Sequence, residues 1–276
     1  MDKREWRIVI TTGLILLLIF TFTDLQISLA IAKKPGFARV LEVVGEIPFT
    51  ILTLAGCGMM VRFRNRSSVV KEMTCLIGGG VLFLLFSCMG GFMTWNYLND
   101  NIPGTSKVWI PVFGVLMAGA AAWITIKVPA EKRNQALRYA ITALVYFILV
   151  IIVMNTLKTM WGRMRFREMT DPLKEFTRWY EICGRGSFDN TYASFPSGHS
   201  MNSVGIILMM LLPDIIPALK EKKKLLHILV YVWCIVVGFS RVFMGAHFAS
   251  DVTVGILLSF IIFEVTYIFI YKRNQI

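Results

Sequence analysis

Length, composition and charge together exclude an ordinary soluble protein. The chain has 276 residues, of which 56% are hydrophobic and 17% are charged, and its formal net charge is +12. A soluble domain typically has about 25% charged residues. The apolar residues also come in long blocks, which indicates an integral membrane protein with a single domain over residues 1–276. The basic residues lie in short loops between these blocks, a pattern that indicates membrane topology and not a nucleic-acid-binding surface.

Eight apolar runs approach the length of about 20 residues that a helix needs to cross a bilayer. They are residues 8–31, 46–62, 74–96, 108–128, 137–157, 199–218, 225–244 and 250–271. We therefore predict an all-α, polytopic bundle in which the last six runs form the core and an N-terminal pair is added. The alternative is that one early run is re-entrant or interfacial. The first run contains the acid Asp24. It could therefore end at that residue, with residues 25–44 forming a segment at the membrane interface.

Clusters of Lys and Arg alternate along the predicted spans. They lie before the first span, between the second and third, the fourth and fifth, and the sixth and seventh, and after the eighth. By the positive-inside rule, these loops and both termini are predicted to be cytoplasmic. On the opposite side, positive charge is concentrated between Lys158 and Arg185, and phosphate binding would explain this departure from the rule.

One polar stretch, Ser240 to Asp251, separates the last two apolar runs. Charge beside a membrane span is costly and is usually functional. His247 and Asp251 are four residues apart and share a face if helical, so the carboxylate can accept one ring N–H and leave the other nitrogen as a base or nucleophile. Arg241 adds a planar cation suited to phosphate. A structural interpretation remains open, in which Asp251 and His247 close a helix end and Arg241 reaches the lipid headgroups.

Two further polar stretches, Lys158–Phe166 and Phe195–Ser200, adjoin the fifth and sixth runs. With Ser240–Asp251 they resemble the signature of the type 2 phosphatidic acid phosphatase superfamily, which reads K-x6-R-P, P-S-G-H and S-R-x5-H-x3-D. The matching residues are Lys158 and Arg165, then Pro196, Ser197, Gly198 and His199, then Ser240, Arg241, His247 and Asp251. Phe166 stands where the family has Pro, so the backbone at Arg165 loses the restraint that Pro imposes on the residue before it.

The resemblance implies an integral membrane lipid phosphatase, with its catalytic core at about 137–271, that forms a phosphohistidine. His247 would be the nucleophile, Asp251 would orient it, and His199 would be the general acid. The implied phosphate-binding residues are Lys158, Arg165, Ser197, Gly198 and Arg241. His247 must then start neutral and His199 protonated, which predicts a bell-shaped pH profile.

Substrate, partners and location follow as further expectations. The substrate would be a membrane lipid of the undecaprenyl diphosphate, phosphatidylglycerol phosphate or phosphatidic acid type. No cofactor or metal is expected, because no carboxylate cluster accompanies the motifs. Oligomeric state is open. We expect a plasma membrane protein with an extracytoplasmic site, and an ER membrane with a lumenal site is the alternative. The rival functions are a lipid phosphotransferase on the same scaffold and a non-catalytic membrane transporter.

Several polar residues outside the motifs receive weaker interpretations. Arg163, Arg167, Asp189 and Asn190 are predicted either to contact a second phosphate or a headgroup, or to be solvated as loop residues. Asp24 and Glu264 are intramembrane acids that would suit an ion path. The loop after Asp171 and Pro172 has apolar residues at helical spacing up to Cys183, followed by Gly184 and Gly186, and this pattern predicts an amphipathic helix on the membrane surface.

Overall fold

The computed structural model describes residues 3–33, 36–64, 66–184 and 189–272. Within these ranges the chain is helical and contains no strand, which confirms the all-α prediction. The α-helices are α1 Lys3–Ile31, α2 Gly36–Val44, α3 Ile47–Arg62, α4 Val69–Met73, α5 Gly79–Asn101, α6 Trp109–Ile126, α7 Arg133–Trp161, α8 Pro172–Glu175, α9 Gly198–Ser203, α10 Leu212–Ile215, α11 Lys223–Phe243 and α12 Ala249–Thr266.

Seven helical stretches in the described part of the chain are long and apolar enough to cross a membrane. They are Arg4–Ile31, Gly36–Arg62, Val69–Asn101, Trp109–Ile126, Ala130–Trp161, Pro217–Phe243 and Ala249–Lys272. They correspond to seven of the eight predicted runs and confirm a multi-pass membrane protein.

The remaining predicted run, 199–218, forms a helical path of three pieces and is not among the seven stretches. Helix α9 passes into a 3₁₀ helix, Val204–Leu211, and then into α10. His199 and Asn202 at its start lower its mean hydropathy.

Helix α1 does not end at Asp24, and the possible break there is not found. The helix continues to Ile31, and Asp24 is only 2% exposed. Its carboxylate forms an ion pair with Arg163, so it does not face lipid unpaired.

The predicted amphipathic helix after Asp171 is wrong beyond its first turn. Only α8 forms, and the chain is irregular from Phe176 to Gly184; Gly186 and Arg185 lie outside the described residues. The cause is visible in the backbone carbonyls. The carbonyl of Thr177 accepts from the guanidinium of Arg163 at 2.7 and 3.0 Å, and the carbonyl of Trp179 accepts from the indole of Trp161 at 2.7 Å. These two carbonyl groups accept hydrogen bonds from side chains, whereas in a helix they would accept from backbone N–H groups.

The chain divides into two compact units. The first comprises Met1–Gly45, Leu149–Val204 and Val232–Glu264, and the second comprises Glu46–Ile148, Gly205–Tyr231 and Val265–Ile276. All the residues predicted from the motifs belong to the first unit. The second has an aromatic core in which the rings of Phe49 and Tyr146 are 5.4 Å apart, and the hydroxyl of Tyr139 donates to the carbonyl of Leu52.

Candidate active site

A tight turn between α11 and α12 places His247 and Asp251. The N–H groups of Ala246 and His247 both donate to the carbonyl of Arg241, and Gly245 has a φ of +62°, which favours glycine. Helix α12 then begins at Ala249, with Asp251 in its first turn. The whole motif is buried, with His247 3% and Asp251 0% exposed.

The ring of His247 is held by a backbone carbonyl. Its Nδ1 lies 2.6 Å from the carbonyl oxygen of Ser194. Because a carbonyl only accepts hydrogen bonds, Nδ1 must carry the proton, and Nε2 therefore has a free lone pair. This is the tautomer that a nucleophilic imidazole needs.

The predicted direct contact between Asp251 and His247 is corrected by the structure. The Asp251 carboxylate accepts from the Arg163 guanidinium at 2.5 Å, from the Ser194 hydroxyl at 2.6 Å and from the Phe248 N–H at 2.9 Å. A buried carboxylate is stabilised more by a guanidinium than by a neutral imidazole N–H, which explains the exchange of partners. Asp251 thus reaches His247 through Ser194.

Burial lowers the pKa of His247 well below its usual value. The nearby cations Arg165, Lys158 and Arg241 lower it further, while the hydrogen bond to Ser194 opposes them. The imidazole is therefore neutral at physiological pH, and its Nε2 lone pair is available.

The three predicted cations are each held by oxygen atoms of the first unit. Lys158, in the last turn of α7, donates to the carbonyl of Ala193 at 2.8 Å. Arg165 donates to Asn190 at 2.6 Å. Arg241 is 1% exposed and pairs with Glu42 at 3.0 Å. The positive charges of all three side chains lower the pKa of His247. The first and third motif blocks therefore lie near each other in the fold.

The substitution of Phe166 for Pro has not changed the backbone before it. Arg165 has φ −75° and ψ 141°, the extended geometry that a following Pro would favour. The Phe166 ring lies edge-on to Phe248, with centroids 6.1 Å apart. The contact between Phe166 and Phe248 thus helps to hold Arg165 in the extended backbone geometry that a Pro at position 166 would favour.

The second block caps helix α9. The Ser197 side chain accepts from the N–H of Ser200, and the Ser197 N–H donates to the Asp251 carbonyl at 3.1 Å. In this structure the predicted phosphate ligand Ser197 therefore has its backbone N–H and its hydroxyl occupied. Gly198 is needed for space, because a Cβ there would lie 2.9 Å from the Met154 sulfur and 3.5 Å from Lys158 Cε.

His199 is 8% exposed, and its Nε2 lies 3.1 Å from the carbonyl oxygen of Glu42. Because a carbonyl oxygen only accepts hydrogen bonds, Nε2 of His199 is the donor in this contact.

Three contributors were not predicted as site residues: Arg163, Ser194 and Glu42. Arg163 is 0% exposed, which rules out the solvated alternative, and it forms ion pairs with both Asp24 and Asp251. An acid inside an apolar run needs a cation partner, so Asp24 was the signal that could have pointed to Arg163. No local pattern marks Ser194 or Glu42.

The weakly interpreted loop residues Asn190, Asp189 and Arg167 have structural contacts. Asn190 accepts from Arg165. Asp189 caps a short 3₁₀ helix by accepting from the N–H of Thr191 at 2.9 Å, and this hydrogen bond lowers the pKa of Asp189. Arg167 pairs with Glu168. Among the described residues, no group of three His, Cys, Asp or Glu side chains is arranged to hold a metal.

Comparisons with known proteins identify the family. The PAP2 superfamily model matches residues 139–275. Phosphatidylglycerophosphatase B of Bacillus subtilis (strain 168) is 40% identical over 72 residues, which cover 25% of this chain and 36% of that protein. Lipid A 4′-phosphatase of Bacteroides thetaiotaomicron is 23% identical over 167 residues, covering 59% of this chain and 64% of that protein. This chain thus matches less than two thirds of either relative's length.

A crystal structure of a transmembrane PAP2-type phosphatidylglycerolphosphate phosphatase from Bacillus subtilis covers 98% of both chains, with 22% identity and a TM-score of 0.40. The family match is independent of that comparison and includes all three motif blocks, from Lys158 to Asp251. The chain therefore belongs to the PAP2 superfamily, as its motifs predicted.

Proposed function

We propose that this protein hydrolyses a lipid phosphate or diphosphate through a phosphohistidine at His247. The observation that carries the proposal is the state of that imidazole: its Nδ1–H is committed to the Ser194 carbonyl. The positive charges of Lys158, Arg165 and Arg241 act on the same ring and lower its pKa, and cations of this kind stabilise the charge of a transferring phosphoryl group.

The reaction requires two displacements at phosphorus. Nε2 of His247 attacks, the P–O bond to the lipid breaks, and the leaving oxygen takes a proton from His199, which enters this step as the imidazolium, a state that the negative charge of the bound phosphate favours. Water then attacks the phosphohistidine, gives a proton to His199, and releases phosphate as the P–N bond breaks. Asp251 supports the first displacement by holding Ser194, whose carbonyl fixes the tautomer of His247.

Phosphate binding in this proposal falls chiefly to Lys158, Arg165 and Arg241. Gly198 contributes by leaving room for the Lys158 side chain. No step requires a metal, because the cations neutralise the phosphoryl charge and His199 supplies the proton.

The two named relatives support a lipid monophosphate as the first substrate to test. One is named for phosphatidylglycerophosphate and the other for the 4′-phosphate of lipid A. We propose phosphatidylglycerol phosphate as the leading substrate class, with phosphatidic acid and undecaprenyl diphosphate as the other two classes that share the recognised group.

We also propose a plasma membrane location with both termini cytoplasmic. The helical path from Gly198 to Ile215 has 18 residues, in pieces of 6, 8 and 4, close to the length of about 20 that a helix needs to cross a bilayer. Added to the seven apolar stretches, it makes eight crossings. The basic loops then lie in the cytoplasm and the three motif blocks on the opposite side.

The experiment is phosphate release by the purified protein from phosphatidylglycerol phosphate, phosphatidic acid and undecaprenyl diphosphate, in detergent with excess EDTA. We expect release from at least one lipid, with phosphatidylglycerol phosphate fastest. Loss of release in EDTA with recovery in Mg²⁺ would overturn metal independence. Transfer of the phosphoryl group to an added acceptor lipid, without phosphate release, would favour a phosphotransferase.

A further inference from the structure

Helix α1, which lies outside the matched family segment, contributes a buried carboxylate to the site region. Asp24 is 2% exposed and has three donors. Its oxygens accept from Arg163 at 3.2 Å, from the N–H of Ser250 at 2.9 Å and from the hydroxyl of Ser250. Ser250 belongs to the first turn of α12, whose N–H groups lack partners within the helix, so Asp24 stabilises the start of that helix from outside.

Arg163 joins Asp24 to Asp251. One terminal nitrogen donates to Asp251 at 2.5 Å and to the Ser250 hydroxyl at 3.0 Å, and the other donates to Asp24 at 3.2 Å. The guanidinium also lies over the Phe248 ring, 4.1 Å from its centroid. These contacts fix both the position and the plane of the cation.

The chain of contacts continues to the proposed nucleophile. Asp251 accepts from the Ser194 hydroxyl at 2.6 Å, and the Ser194 carbonyl accepts from His247 Nδ1 at 2.6 Å. Displacement of the Asp251 carboxylate would therefore release the residue that sets the tautomer and ring orientation of His247.

We propose that Asp24 and Arg163 are positioning residues for His247. Arg163 holds the Asp251 carboxylate towards Ser194, and Asp24 holds Arg163 and the first turn of α12. The catalytic machinery then extends beyond the matched segment to the first helix. This proposal rests on the proposed role of His247 as the nucleophile.

Stability alone is a weak reason for this arrangement. A buried ion pair frequently stabilises a protein no more than apolar side chains of the same volume would, because the charges lose their hydration. The contacts of Arg163 with Asp24 and Asp251 instead restrict geometry. Two carboxylates bound to one planar guanidinium fix the orientation of its plane.

The first test compares Asp24→Asn with wild type on the lipid that gives phosphate release. The amide can still accept from the Ser250 N–H, but its charge and its bond to Arg163 are lost. We expect kcat to fall about 10- to 100-fold, because small displacements of a reacting group have effects of this size. KM should stay within about twofold, since the three phosphate-binding cations keep their partners. Asp24→Glu, which keeps the charge, should retain more activity than Asp24→Asn.

The matched control is Glu72→Gln, which removes a carboxylate from the Arg64 ion pair in the second unit and should leave kcat unchanged.

If Asp24→Asn does not fold, Ser250→Ala tests the positioning role in its place. It removes one hydrogen bond to Arg163 and one to Asp24 while keeping every charge, and it should lower kcat about threefold to tenfold.

A second measurement does not depend on activity. The chain has three histidines, so selective ¹⁵N labelling gives few signals, and His247→Gln assigns that of His247. We expect the Nδ1–H tautomer in wild type and a mixture of tautomers in Asp24→Asn. A folded Asp24→Asn variant with wild-type kcat and an unchanged tautomer would overturn the proposal. If wild type releases no phosphate, or His247→Ala still does, the proposed function fails, while the tautomer comparison still decides the positioning claim.

Discussion

The two compact units differ in how deeply their ion-paired side chains are buried. In the first, the side chains of Asp24, Arg163 and Asp251 are at most 1% exposed, and Arg163 forms an ion pair with each of the two carboxylates. In the second, the Arg64–Glu72 pair is 27% and 34% exposed. A fully buried hydrogen bond there joins two neutral groups, the Tyr139 hydroxyl and the Leu52 carbonyl. Burying charge costs several kcal/mol per ion even after relaxation, so its concentration in one unit marks where geometry matters more than stability.

The largest difference between the units should appear when an arginine is removed from each. Arg163→Met leaves two buried carboxylates without their cation, so we expect the free energy of unfolding to fall by about 3–5 kcal/mol. Arg64→Met breaks a partly exposed pair, and its effect should be about 0–1 kcal/mol. Reversible unfolding in detergent, followed by circular dichroism, measures both. If the free energy of unfolding fell equally in the two variants, the buried and the exposed ion pairs would not differ in their effect on stability.

A smaller effect is expected from adding one methyl group. A Cβ at Gly198 would meet Met154 and Lys158, whereas a Cβ at Gly119, in the second unit, would meet nothing within 4 Å. Gly198→Ala should displace the Lys158 side chain and lower kcat/KM about tenfold, within the range for weakening one group that stabilises the transferring phosphoryl charge. Gly119→Ala should match wild type. Wild-type kinetics in folded Gly198→Ala would show that Lys158 tolerates the methyl group.

The mildest test changes only pH. Burial and the three cations lower the pKa of His247, and the nucleophile must be neutral, so protonation stops the reaction only below that lowered pKa. We therefore expect the acidic limb of kcat/KM to lie below the usual histidine value of about 6.5. A limb at or above that value would mean that another group controls the acidic side. Arg165→Met should move the limb to higher pH, because one depressing charge is lost.

Sequence reasoning succeeded where the signal was local. Apolar runs predicted the spanning helices, and spacing within the three motif blocks predicted residues that the fold then placed in one unit. It failed where partners are distant in the chain. Asp24 and Ser250 are 226 residues apart in sequence yet hydrogen-bonded, and no periodicity encodes that contact.

Two local inferences were also wrong, both because a distant side chain intervened. The amphipathic helix after Asp171 ends early, since Arg163 and Trp161 take its carbonyl groups. Asp251 does not contact His247, since Arg163 holds its carboxylate. Arg163 takes part in both cases, together with Trp161 in the first.

The measurement that tests the central claim most directly is capture of the phosphoryl intermediate. Wild-type protein would be mixed with ³²P-labelled phosphatidylglycerol phosphate, or with the lipid that proves active, quenched within milliseconds, and compared with His247→Ala. We predict an acid-labile, alkali-stable label at His247, as expected for a phosphohistidine. In His247→Ala this label should be absent and phosphate release should fall about 10⁴-fold or more. Phosphate release that survives His247→Ala, or a label on another residue, would contradict the account.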